Sequence, residues 1–208
     1  TIPGANLPNP GSTTVTITVN ATPITSPVTI CQGGSGQLTS STICPGGGSF
    51  TAGPNDAGTG TNVTGVGTNA WSNPGNIVSN NSVYAISTVN NGGNVTRTTN
   101  YLQGTNYGFV IPANATITGI GVSIKRFSSA NNTQFVRDNI VSLIKAGAVT
   151  GNNNAVAGNW STTITTVVNY GGAGNLWGTT WTPAPINAVN FGVALSAKST
   201  RTNGNTIT

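Results

Sequence analysis

The sequence predicts an all-β protein, an antiparallel β-sandwich of jelly-roll or immunoglobulin-like type, and three observations carry the prediction. Short apolar stretches alternate with a period of two, Asn/Gly/Pro clusters separate them, and no segment holds apolar residues at three- and four-residue spacing beyond a turn or two. Composition agrees with this. The 208 residues include 35 Thr, 29 Asn and 29 Gly, only 4% are charged, and 36% are hydrophobic. Disordered chains are instead depleted in β-branched and aromatic residues and rich in Glu and Lys. The length suits one large β domain or two small ones.

Residues 1–12, TIPGANLPNPGS, are a Pro/Gly/Asn stretch and read as a linker. Residues 13–20, TTVTITVN, follow, with Val15, Ile17 and Val19 alternating with Thr14, Thr16 and Thr18. This is the cleanest period-two signal in the chain. Residues 21–70 begin with ATPITSPVTI, where Pro23 and Pro27 mark a turn or an edge, and continue into a cysteine loop and a Gly-rich passage. That passage carries the weakest signal for regular structure. The main sandwich is expected over 71–208, with strands at 83–90, 94–103, 107–111, 116–126, 140–147, 162–170 and 191–198. Within 116–126, Ile120, Val122 and Ile124 share a dry face and Ser123 and Lys125 a wet one; within 191–198, Val193, Leu195 and Ala197 oppose Ala194, Ser196 and Lys198. One short turn of helix is expected at PINAVN, 185–190, started by Pro185.

The side-chain inventory narrows the chemistry. There is no His, and the only acids are Asp56 and Asp138. No metal or cofactor site and no catalytic residue is predicted, because general acid/base work and metal binding draw on side chains this chain hardly has. Asp56 with Asp138 is a bare pair of carboxylates for glycoside hydrolysis, with no further acid to orient them. The alternative for Asp138 is a surface pair with Arg137, worth under ~1 kcal/mol. A third reading is a Lys-to-Asn isopeptide bond, with Lys125 or Lys145 supplying the amine and Asp138 the proton shuttle. The seven basic residues give a net charge of +5 but are spread out, without the basic stripe of a nucleic-acid groove. No nucleic-acid partner is expected.

Cys31 and Cys44 are the only cysteines. Two thiolates without histidine cannot complete a zinc site, so a disulfide closing the loop is favoured over two buried thiols, and it requires an oxidising compartment. The start of the chain lacks a basic and apolar leader, so a signal peptide is expected to have been removed or to lie upstream. No apolar stretch approaches the roughly 20 residues of a membrane helix, and no membrane insertion is expected. The runs GGSG (33–36) and GGG (46–48) lack the lysine and setting of a phosphate loop and read as spacers. Trp160, Trp177 and Trp181, near Tyr170, have two readings: a glycan contact by stacking on a sugar, or a plug at the open end of the sandwich that anchors a long loop.

The segments NAWSNPGNI (69–77), TTNYLQGTNYGFVIPANATITGIGVSIKR (98–126), DNIVSLIKAG (138–147) and NLWGTTWTPAPINAVNFGVAL (175–195) resemble a β module of secreted bacterial surface proteins and of some phage structural proteins. The earlier TVTITVNATPITSPVTICQGGSGQLTSSTICPGG is similar to the linking strand and shortened immunoglobulin-like repeats of Bacteroidetes giant surface adhesins. The resemblance implies an extracellular, non-catalytic, repetitive β-sandwich. It also implies a closing strand after NFGVAL, where this chain has STRTNGNTIT, so a slot open to strand addition is expected. The surplus strand Thr14, Val15, Thr16, Ile17, Thr18 and Val19 fits such a slot. The function expected is a subunit of an extracellular fibre that polymerises with copies of itself by strand exchange. The alternative is an adhesin module that binds surface glycans.

Overall fold

The computed structural model describes residues 13–21, 49–89, 95–129 and 134–201. Within them the chain forms a two-sheet, antiparallel β-sandwich. Its strands are β1 (Thr13–Ala21), β2 (Ser49–Asp56), β3 (Thr59–Val63), β4 (Thr96–Thr98), β5 (Tyr101–Thr105), β6 (Ala115–Lys125), β7 (Gln134–Lys145), β8 (Ala148–Thr150), β9 (Val167–Gly172) and β10 (Gly192–Arg201). A 3-10 turn covers Pro74–Val78, and one helical turn, α1, covers Pro183–Asn187. The expected turn at 185–190 thus starts two residues earlier, where Pro183 enters the helix with a preset φ.

One sheet has the order β2-β1-β6-β9 and the other β3-β5-β10-β7-β8, with β4 also pairing β10. The alternation over 116–126 produces the core directly. Ile120, Val122 and Ile124 are buried on β6 and face Val141, Leu143, Val193 and Leu195 from the second sheet, with Ile17 of β1 wholly inside the same cluster. Tyr107, Phe109 and Phe191 pack with Trp181 at one side of that core, in edge contacts with centroids 5.5 to 6.2 Å apart about Phe191.

Several expected elements are corrected. Within the expected strand 94–103, the described residues form two strands, because the chain steps at Thr99 and Asn100, both buried. There the Thr99 hydroxyl accepts from the Ala197 amide, and the Asn100 carbonyl accepts from the Trp71 indole, so side chains take over ladder hydrogen bonds. Residues 107–111 are not a strand; their aromatic rings fill the core from a loop. Of the expected strand 83–90, the described residues 83–89 give only an isolated bridge between Ser72 and Ile86. The Gly-rich passage, conversely, holds β2 and β3. Pro54 is tolerated in β2 because β2 is an edge strand and its register with β1 shifts there. The wet face expected for β10 is dry at Ala194 and Ser196, each fully buried. β10 runs between β7 on one side and β5 and β4 on the other, and the Ser196 hydroxyl donates to the Thr99 carbonyl.

Candidate functional site: the β1 slot and a cavity between the sheets

β1 occupies the middle of its sheet. It pairs antiparallel with β6 from Thr13 opposite Ile124 to Ala21 opposite Ala115, and with β2 from Thr14 opposite Asp56 to Asn20 opposite Ser49. The slot for residues 13–21 therefore lies between β2 and β6. It does not lie beside β10, which has paired strands on both sides. Ile17 sits opposite Ile120, and both are completely buried. In the single chain this slot is filled by the chain's own strand. Removing that strand would expose the facing edges of β2 and β6 and uncover Ile120.

Asp138 lies on β7 and turns inward, with a fully buried side chain. Its partner is Arg126, which follows β6: the Nε to Oδ1 distance is 3.2 Å and Nη2 donates to Oδ2 at 3.3 Å. The expected pair with Arg137 is not formed. Neighbouring residues of a strand point to opposite faces, and Arg137 is exposed and donates to Asn159. The Asp138 carboxylate also accepts from the Trp160 indole at 2.7 Å, the Tyr170 hydroxyl at 3.0 Å and the Val156 amide at 3.1 Å. Arg126 in turn donates to the Tyr170 hydroxyl at 2.7 Å and lies over the Trp160 ring, 4.9 Å from its centroid. Burial first, and the Asp138 charge second, push the Tyr170 phenol well above its ordinary range. A carboxylate so engaged has no lone pair to spare for a substrate. Lys145 is not near it: its Nζ donates to the Thr180 carbonyl and lies over Trp181. Lys125 lies over Tyr84. The isopeptide constellation is therefore not assembled, and Asp56 sits on the other sheet from Asp138.

The three tryptophans do not form one exposed platform. Trp177 is fully buried and Trp181 6% exposed, both in the main core. Trp177 adopts φ 57°, held by its amide on the Asn175 side chain and its indole on the Ile120 carbonyl. Gly171, itself at φ +66°, gives the ring room, since a Cβ there would strike Trp177. Trp181 donates to the Leu176 carbonyl. Their rings present no face to a sugar, so the glycan contact is corrected at both positions: the loop around 175–182 is pinned by burying its aromatic rings. Trp160 is half-buried and belongs instead to a different feature. Cys31 and Cys44 lie outside the described residues.

That feature is a cavity of about 470 Å³ at the Arg126 side of the core. Its walls include Leu102, Val193, Leu195 and Ala197 of the second sheet, Ile124 of the first, and Trp71. A strap, residues 84–89, forms one of its sides. The strap is tied at Ser72 by two backbone hydrogen bonds with Ile86, at Asn76 by its amide to the Tyr84 carbonyl, and at Gln134 by its amide to the Val89 carbonyl. Sequence reasoning missed this cavity. The available signal was the run of strand alternation on β10, Val193 through Ser199, which continues past the end of the main core to Ala197, in a separate cluster with Trp71, Ile77 and Leu102.

Among the described residues no group of three potential metal ligands exists, and no helix is long and apolar enough to cross a membrane. No protein-family model, curated protein or solved structure matches the chain.

Proposed function

We propose that the chain is a non-catalytic structural subunit of an extracellular bacterial fibre, in which residues 13–21 of one copy complete the sheet of the next. The observation that supports this is the place of β1: a central strand paired on both edges, joined to β2 through residues 22–48. Burial of Ile17 contributes roughly 1.5–3 kcal/mol, and the ladders on both sides fix the register. A heterologous contact of this kind does not close on itself and so propagates. A disulfide between Cys31 and Cys44 belongs to the same extracellular reading.

A cross-link decides between self-docking and exchange. Thr14 and Ser123 are opposite each other in the β1–β6 register. Thr14→Cys with Ser123→Cys, in a Cys31→Ser/Cys44→Ser background, oxidised at a chain concentration above the millimolar effective concentration of the tethered strand, is expected to give a ladder of dimers, trimers and longer species on non-reducing gels, collapsing with reductant. A single monomer-sized band with its thiols consumed would show that each strand stays in its own subunit, and the fibre model would be wrong.

A further inference from the structure

The cavity behind the strap has features that the strand slot does not explain. Its walls are largely apolar and its volume, about 470 Å³, falls in the range of small-molecule sites. Strap residues 85–89 all border the cavity; Ala85, Ser87 and Val89 are partly buried, while Ile86 and Thr88 are exposed. The Ser87 hydroxyl oxygen is buried and has no hydrogen-bond partner in the protein. A buried hydroxyl left so is a cost to the fold, which a turn about its χ1 toward a ligand acceptor in the cavity would relieve.

Charge gives the second constraint. Lys125 and Arg126 both line the cavity and no acidic residue does. Arg126 is neutralised by Asp138 behind the wall. Lys125 is not: the chain's only other acid, Asp56, lies exposed on β2, and the lysine rests over the Tyr84 ring with Nζ 5.5 Å from the centroid. Tyr84 meets Phe127 edge-on at 5.0 Å. A flat or compact apolar body thus has aromatic surface to lie against, with a cation and an unsatisfied hydroxyl donor to orient it. A sugar is a poorer fit, because two of the buried wall hydroxyls are already engaged: Thr99 bonds Asn100 and Ala197, and Ser199 accepts from Gln134.

We infer that this cavity binds a small hydrophobic carboxylate, its apolar body between the sheets and its carboxylate directed to Lys125 and Ser87. The test is isothermal titration of the purified chain with 2-naphthoate and with its uncharged counterpart, 2-naphthalenemethanol. The carboxylate is expected to bind once per chain and at least about fivefold more tightly than the alcohol, the size of one partly exposed charge contact. Lys125→Met is expected to erase that difference while leaving the alcohol unchanged, and Ser87→Ala to weaken 2-naphthoate by about fivefold. Ala85→Trp, which fills the space from a strap outside any strand, is expected to abolish both. Lack of saturable binding, equal affinity for acid and alcohol, or retention of both affinities in folded Lys125→Met and Ser87→Ala would each overturn the assignment. Should Ala85→Trp fail to fold, those two substitutions on the rim and strap still decide it.

Discussion

Asp138→Asn is the sharpest probe of how the sandwich is held together. The carboxylate is fully buried and takes contacts from Arg126, Tyr170, Trp160 and the Val156 amide, and its ion-pair partner Arg126 is itself only 6% exposed in its side chain. Asparagine keeps the shape and one acceptor oxygen but turns an NH₂ toward groups that are themselves donors. It also strands the guanidinium without a counter-charge in a site water hardly reaches. Breaking a buried pair from one side costs about 3–5 kcal/mol, which is a large part of the 5–15 kcal/mol that holds a typical domain. Urea unfolding followed by tryptophan fluorescence reads this directly, since Trp160 is in the network. Arg126→Met combined with Asp138→Asn removes both charges and is expected to be substantially more stable than Asp138→Asn alone, because the penalty lies in the orphaned cation more than in the lost pair. A single variant within about 1 kcal/mol of the native chain, or a double variant no better than the single, would refute the view that this pair is buried and mutually dependent.

Tyr107→Phe should be neutral or stabilising by up to about 1 kcal/mol in the same assay, because the Tyr107 hydroxyl is buried without a partner and its removal relieves that cost. Alkaline pH should destabilise the fold. Burial first, and neighbouring Asp56 or Asp138 second, raise the Tyr107 and Tyr170 phenols, so above pH ~10 the unfolded chain releases protons that the folded chain retains, and stability falls by up to ~1.4 kcal/mol per pH unit for each; Tyr170→Phe should remove its share of the slope. Ile17→Asp should lower stability by several kcal/mol, read by thermal unfolding, since the side chain is wholly inside the core. Cys31 and Cys44 should resist alkylation in the non-reduced protein, as judged by mass spectrometry, and their reduction should cost about 3 kcal/mol in the loop-entropy account; two labelled thiols would contradict the bridge.

Strand alternation was legible wherever one face is dry and the other wet. Residues 116–126 became β6 almost unchanged, and TTVTITVN became β1, because the pattern reports a local choice of face. It failed where tertiary contacts decide. Tyr107 and Phe109 look like strand residues but enter the core from a loop whose backbone is held by side chains, as when Asn55 donates to the Tyr107 carbonyl. β2 was hidden because an edge strand tolerates proline and glycine, which in a central strand would argue against it. The Arg126–Asp138 pair was invisible for a related reason. Sequence adjacency suggested Arg137, whereas the strand period sends residues 137 and 138 to opposite faces and brings in a cation from the other sheet.

The place of β1 also bounds how exchange could operate. Its contacts with β2 and β6 are the same whichever copy supplies the strand, so the contacts themselves cannot choose between self-docking and polymerisation. What differs is the connection through residues 22–48. Covalent geometry allows up to about 3.3–3.6 Å per residue, which lets that segment reach its own slot or a neighbour's. A tethered strand competes for its own slot at an effective concentration in the millimolar range, so a dilute subunit is expected to close on itself and a fibre to require either high local concentration or a captured open intermediate. Added free peptide spanning residues 13–21 should therefore compete poorly with the intact chain but occupy the slot readily once residues 1–21 are deleted. If the truncated chain neither binds that peptide nor unfolds, the slot closes without a strand, and β1 is dispensable to the sandwich.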